Sequence, residues 1–186
     1  MTQIPVLTTT HLRLRPRSVE DVEACWAMDI DFAVHRYIWP EGIPDVEAHR
    51  ETIRQRFASG WPPVGGVWVV EWQDKPGFLG WCGLFPLEES GLIEIGYRYV
   101  QRAWGQGVAT EAAREVLDYG FRALEIDPIV AVTDPENRAS QNVLRKIGLR
   151  QEGTAFHYGR DLSFFRLERA QYVTATKTDG PDRAAI

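Results

Sequence analysis

The sequence holds little sulfur: two cysteines, Cys25 and Cys82, and two methionines in 186 residues. Two cysteines cannot build the multi-bridge framework of a small secreted domain, and neither belongs to a Cys-x-x-Cys pair. They read as reduced, largely buried thiols. No His, Cys, Asp or Glu spacing suggests a metal site. Long apolar runs are missing too. Nothing approaches the roughly 18 residues of a spanning helix, and Met1 to Leu14 lacks the charged-then-apolar pattern of a signal peptide. Positive charge is also short. Lys and Arg number 21 against 26 Asp and Glu, a net charge of −5. Nucleic acids and anionic membranes select a basic face, so neither is expected as a partner. These absences point to a soluble, cytoplasmic protein.

What is present is ordinary globular composition, 44% hydrophobic and 25% charged. The length is near one domain at about 150 residues per domain. A chain this long buries about 70% of its unfolded surface and needs no staple. No internal repeat or low-complexity linker appears. Residues 1–173 are expected to form one domain. Residues 174–186, with Gly180 and Pro181 and no apolar period, read as a flexible tail.

Residues 11–15 alternate and predict a first strand. Ser18 caps a helix with Glu20 and Asp21 in its first turn, ending near Asp31, with Val22, Trp26 and Ala33 on its apolar face. Tyr37 to Gly42 reads as an aromatic loop. Pro44 to Ala58 reads as a second helix with Val46, Ile53 and Phe57 inward, closed by Trp61-Pro62-Pro63. Strands follow at Gly66–Trp72, Phe78–Phe85 and Gly91–Val100, a meander joined by short turns. Helical spacing returns from Gly107 to Ala123, then a buried strand at Pro128–Val132. A helix from Arg138 is closed by Gly148. Two last strands, Leu149–Tyr158 and Leu162–Ala170, flank a turn at Gly159-Arg160-Asp161. The order predicts a mixed α/β domain whose sheet is partly parallel.

The most informative stretch is Val100 to Thr110, where a strand ends, a glycine-bearing turn follows and an amphipathic helix starts. Gly105 and Gly107 allow positive φ and close approach to a ligand. Helix-start N–H groups lack intrahelical acceptors, and the helix dipole adds positive character. The stretch reads as a pyrophosphate cradle with Arg102 at its rim. A purely structural turn is one rival. A dinucleotide-binding fingerprint is the other, but Thr110 stands where it needs Gly or Ala, and residues 101–104 separate the glycines from the strand.

The pattern Gln101/Arg102-x-x-Gly105-x-Gly107 resembles the acyl-CoA signature of the GNAT superfamily of N-acetyltransferases. Glu94-Ile95-Gly96-Tyr97 resembles the strand before that signature. Asn137-Arg138-Ala139-Ser140-x-x-Val143-Leu144-x-Lys146-x-Gly148-Leu149 is similar to a later motif of the superfamily. The nearest branch is identified as the RimJ/RimL-like ribosomal-protein N-terminal acetyltransferases. The resemblance covers about Leu12 to Tyr172. It implies a GNAT-like fold: a central mixed, mostly antiparallel sheet with a splayed parallel strand pair and helices on both faces.

It also implies acetyl-CoA as cofactor. Arg102, Gly105, Gln106, Gly107, Val108, Ala109 and Thr110 would hold the pyrophosphate. The pantetheine arm would lie along Tyr97, Tyr99 and Val100 like an added strand. The splay would come from a bulge near Gly83-Leu84-Phe85-Pro86, where Pro86 cannot donate to a ladder. Asn137 reads as a helix cap, and the resemblance adds a reach to the cofactor arm. Ser140 is implied near the sulfur as proton donor to the departing thiolate. Neither phenol of Tyr97 nor of Tyr99 can be placed there from sequence.

A protonated amine cannot attack a thioester, so a base must take its proton. Glu94, on the strand face opposite Ile93, Ile95 and Tyr97, is the candidate; the alternative is a solvent-facing or ion-paired residue. His35 and His157 read as surface or satisfied histidines. Trp39 and Trp61 lie in loops that flank the acceptor entrance in the family and are candidates for clamping an amine, with packing over the core as the alternative. The function implied is acetyl transfer to a primary amine of a protein N-terminus or small molecule by a monomer or homodimer. A non-catalytic acyl-CoA-binding module, or a bulkier donor such as succinyl-CoA, is the other reading.

Overall fold

Alternation builds the first strands of the sheet. Leu12 and Leu14 are fully buried on one face of β2 (Leu12–Pro16) while Arg13 turns to the other. A short β1 (Leu7–Thr8), invisible in the sequence pattern, pairs beside it. The computed structural model describes residues 4–59 and 64–178. The remaining strands are β3 (Gly66–Trp72), β4 (Gly80–Pro86), β5 (Ile93–Tyr99), β6 (Ile129–Thr133), β7 (Arg150–His157) and β8 (Arg160–Leu167). They form one sheet in the order β1-β2-β3-β4-β5-β6-β8-β7, antiparallel everywhere except between β5 and β6.

Helices cover both faces. On one, α4 (Val108–Arg122) sits on β2, β4 and β5, and α5 (Arg138–Lys146) on β6 and β7. Val108, Ala112, Ala113, Val116, Leu117 and Phe121 recur at helical spacing and are all buried. On the other face, α1 (Val22–Asp29) and α3 (Val46–Ala58) pack through Val22, Cys25, Met28 and Ile53 against Phe78 and Trp81. Between them lies one turn of helix, α2 (Phe32–His35), started by Asp31, whose Oδ1 accepts the Ala33 N–H at 3.0 Å. α1 thus ends close to the expected Asp31, and Ala33, expected on its apolar face, belongs to the separate turn α2. Val46, expected inward, is 38% exposed at the first position of α3.

Both cysteines are buried free thiols. The last strand stops at Leu167 rather than Ala170, and α6 (Arg169–Thr178) continues the chain. Tyr172 stacks on Phe121 at 4.9 Å and donates to Asp118 at 2.9 Å, so helical order runs past Thr174, where the tail was expected to begin. Residues 179–186 lie outside the described residues, as does Trp61. No helix among the described residues is long and apolar enough to cross a membrane.

The sheet opens between its two parallel strands. Only Ile93↔Ile129 and Glu94↔Val130 pair there. Beyond them β5 follows β4 and β6 follows β8, each in an unbroken antiparallel register. Strand twist then drives β5 and β6 apart. The bulge expected at Gly83–Pro86 is absent: β4 keeps one register with β5 from Gly80↔Tyr99 to Pro86↔Ile93, and one with β3. The splay comes from divergence of two antiparallel halves, not from an inserted residue.

Candidate active site

The gap between β5 and β6 is the floor of a cavity of about 200 Å³. Strand alternation gives it two sides. Toward α4 and α5 it is lined by Ile95, Tyr97, Ser140 and Leu144; toward α1–α3 by Glu94, Gly96, Trp81 and Phe85. Tyr37 and Ile38, Asp134, Tyr158 and Arg160 surround the second mouth. A Cβ on Gly96 would stand 2.6 Å from Phe85 Cζ, so glycine there lets the phenylalanine ring lie across the strand.

Glu94 is only 5% exposed and has no cationic partner among the described residues. Burial pushes its carboxyl up to about 7, the nearby charge of Glu88 adds to the rise, and a hydrogen bond donated by Tyr158 to Oε1 opposes it. The solvent-facing and ion-paired alternatives for Glu94 are thereby excluded. A carboxyl poised near neutrality can exchange protons in both directions at physiological pH.

Across the gap, Tyr97 Oη donates to the Ser140 carbonyl at 3.1 Å and lies 3.2 Å from Ser140 Oγ. Burial holds the Tyr97 phenol well above its ordinary range, so it stays protonated. Asn137 caps α5: its Oδ1 accepts the Ser140 N–H at 3.1 Å. Its side-chain amide N–H groups find no acceptor among the described residues. Tyr99, two residues on and on the same face, stacks on Tyr97 with ring centroids 6.2 Å apart, is buried under α4 and does not line the cavity.

At the far end, Gly105 (φ +73°) and Gly107 (φ +82°) carry the turn into α4. A Cβ at either would meet no protein atom within 4 Å, so it is the left-handed backbone, not crowding, that selects glycine. The N–H groups of Gly107, Val108, Ala109 and Thr110 have no acceptor among the described residues; the next, of Glu111, donates to the Gly107 carbonyl at 3.0 Å. Gln106 hydrogen-bonds the Arg102 carbonyl and braces the turn. The Arg102 guanidinium donates to the Phe78 carbonyl at 2.6 Å and is engaged there rather than at the helix start.

Trp39 is not on the cavity wall. Its ring stacks edge-on with His49 at 4.9 Å and covers the Arg98 guanidinium, 4.9 Å away. Arg98 in turn pairs with buried Asp29, which shares a 2.9 Å hydrogen bond with His49. This buried network answers for Trp39, as packing rather than an amine clamp. His35 and His157 are satisfied, by the Asp29 carbonyl and by Glu88.

The loop from Tyr37 does reach the acceptor side, through Tyr37 and Ile38 rather than Trp39; sequence reasoning missed the rest of that wall, Trp81, Phe85, Tyr158 and Arg160. Arg160 ties that mouth together, bonding Asp134 at 3.0 Å and the Tyr37 carbonyl. Among the described residues no group of three or more His, Cys, Asp or Glu side chains is placed to hold a metal ion.

Residues 11–150 match the family described as acetyltransferase (GNAT) domain. YkkB of Bacillus subtilis is 34% identical over 86% of this chain and 94% of its own length. The N-acetyltransferase YoaA of the same organism is 33% identical over 83% and 88%. Among solved structures, a GNAT-family acetyltransferase from Bacillus anthracis superposes with a TM-score of 0.74 at 25% identity, covering 89% of this chain and 99% of that one. The spermidine N-acetyltransferase of Vibrio cholerae, solved with CoA and spermine, shares the fold with a TM-score of 0.71 at 19% identity over 89% and 99%. Sequence match, fold and a sheet opened at its one parallel pair agree: the chain belongs to the GNAT family of N-acetyltransferases.

Proposed function

We propose that this acetyltransferase moves an acetyl group from acetyl-CoA to a primary amine by direct attack, with Glu94 as general base and Ser140 as the proton donor to the departing sulfur. The observation that carries the reading is a buried carboxyl near neutrality in a cavity that passes through the sheet beside an unpaired strand edge. Acetyl-CoA supplies an activated acetyl thioester and a thiol leaving group.

The residues present fit such a molecule. The unpaired N–H groups of Gly107, Val108, Ala109 and Thr110, with Gly105 and Gln106 shaping the turn, suit a pyrophosphate. Arg102 would have to leave the Phe78 carbonyl to add its charge at the rim. The free edge of β5 from Tyr97, continued by Val100, suits the amides of a pantetheine arm, and Asn137 offers unused amide donors across the gap. Glu94 takes the proton of the attacking amine on the opposite side of the strand. Ser140 Oγ, braced by Tyr97, gives a proton to the sulfur. The acceptor reading extends to a protein N-terminus, as in the RimJ/RimL-like branch, or to a small-molecule amine such as the polyamine named for the Vibrio cholerae neighbour. The enzyme acts as one domain that extends through α6, as a monomer or homodimer.

Thiol release from acetyl-CoA across an amine panel tests the reading. Glu94→Gln is expected to slow turnover by roughly 10²–10⁴-fold at pH 7, with CoA affinity unchanged. Ser140→Ala is expected to lower turnover without weakening CoA. CoA binding with no thiol release for any amine would make the chain a binding module. A Glu94→Gln enzyme at native rate would remove Glu94 as base.

A further inference from the structure

Tyr158 sits where a hairpin would prefer another residue. His157 pairs with Arg160, so Tyr158 and Gly159 are the two-residue loop between β7 and β8. Both have positive φ, +52° and +77°, which is the type I′ geometry that favours Asn-Gly. A β-carbon-bearing aromatic is disfavoured there. The turn expected from sequence at Gly159-Arg160-Asp161 is therefore one residue earlier, and its first position is the tyrosine.

That tyrosine is 51% exposed, yet its hydroxyl reaches inward and donates to Glu94 Oε1. It is also held from a second element. Glu88, itself at φ +47° in the turn between β4 and β5, accepts the Tyr158 N–H at 3.1 Å through Oε1 and meets His157 Nδ1 at 2.8 Å through Oε2. Two turns distant in sequence thus meet over the acceptor-side mouth. Glu94 Oε2 accepts no hydrogen bond among the described residues and is not sealed from the cavity.

We propose that Tyr158 is a positioning residue for Glu94: its phenol holds Oε1, leaves Oε2 to receive the proton of the acceptor amine, and is pinned for this task by Glu88. The inference rests on the reading of Glu94 as base. A donor to a carboxylate stabilises its ionised form, so Tyr158 also limits how far burial raises the carboxyl. The other titratable groups around Glu94 and Tyr158 are Glu88 from the β4–β5 turn with His157 beside it, Asp134 and Arg160, which pair with each other, Tyr37 from the loop after α2, and Arg56 of α3 beside Tyr158.

The test follows the Glu94 carboxyl directly, by ¹³C NMR titration, alongside the pH profile of kcat/KM. In Tyr158→Phe, which keeps the ring wall, both the titration and the acid limb are expected to move up together by about one pH unit, with acceptor KM little changed. In Glu88→Gln, which keeps an acceptor for the Tyr158 N–H but removes the neighbouring charge, both are expected to move down. An unmoved Glu94 titration in folded Tyr158→Phe overturns the proposal. A displaced titration with an unmoved rate profile overturns Glu94 as base, and with it the catalytic role of Tyr158.

Discussion

A base kept protonatable by burial must weaken the fold, and the size of that effect can be worked out. The Glu94 carboxyl ordinarily titrates at 4.5 and is held up to about 7 in the folded chain. The folded state therefore binds this proton more tightly than the unfolded chain. Below pH 4.5 both states carry the proton and nothing is lost. Between 4.5 and about 7 the unfolded chain releases it first, so stability falls as pH rises; above about 7 the penalty is complete. At 1.36 kcal/mol per pH unit the interval amounts to about 3 kcal/mol. Glu94→Gln cannot ionise and still accepts a hydrogen bond from Tyr158. It should match the wild type in thermal unfolding near pH 4.5 and exceed it by about 3 kcal/mol at pH 8. For a chain of this length that corresponds to roughly 6–12 °C in Tm. Circular dichroism melts of the two proteins across pH 4.5–8 measure the difference, in which other titrating groups largely cancel. A gap between the curves that stays constant with pH would refute the argument, because a pH-independent gap has nothing to do with a proton.

Gly107→Val places a β-branched residue at φ +82° and should lower the apo Tm by a few degrees, at about 1–2 kcal/mol for a left-handed residue, while abolishing the thermal shift produced by CoA. Gly107→Asn, which tolerates that conformation, should keep part of the shift; a full CoA shift in the valine variant would refute the cradle. Asn137→Ser keeps the cap on the Ser140 N–H and should melt near the wild type but bind CoA more weakly, whereas Asn137→Ala should also lose about 1 kcal/mol of stability. Native CoA affinity in Asn137→Ser would reduce Asn137 to a cap.

The fold was legible because its signals are local and repeated. Val108, Ala112 and Val116 carry a helix period, Leu12 and Leu14 a strand period, and Gly105 with Gly107 announces a left-handed turn before a helix. The errors have local causes too. Asp31 can start a helix as readily as follow one, so α2 goes unread and Ala33 is assigned to the helix before it. Val46 looked inward because apolar spacing does not say where a helix face begins. Pro86 suggested a break in β4, but at the strand's last position a missing N–H costs the ladder nothing, and the register runs on to it. The residues from Thr174 to Thr178 lack an apolar period and are helical all the same.

The site was legible on one side only, and the reason is geometric. The donor side is a continuous segment: a strand, a turn and a helix start, all within residues 93–110, with a second motif at 137–140. Chain neighbours there are spatial neighbours, so spacing carries information. The acceptor side is assembled from separate pieces. Glu94 comes from β5, Phe85 from β4, Tyr37 from the loop after α2, and Tyr158 from a hairpin 64 positions away from the carboxyl it holds. No local pattern records such a meeting. What the sequence did hold was a misfit, a tyrosine before Gly159 where an I′ turn favours asparagine. A residue that opposes its own turn indicates that something outside the turn selects it. Here that selection is the bond to Glu94, so the conformational cost of the hairpin and the proton affinity of the carboxyl belong to one device. Relaxing the hairpin with Tyr158→Asn should therefore stabilise the turn and raise the proton affinity of Glu94 at once, an opposition that a merely structural tyrosine would not produce.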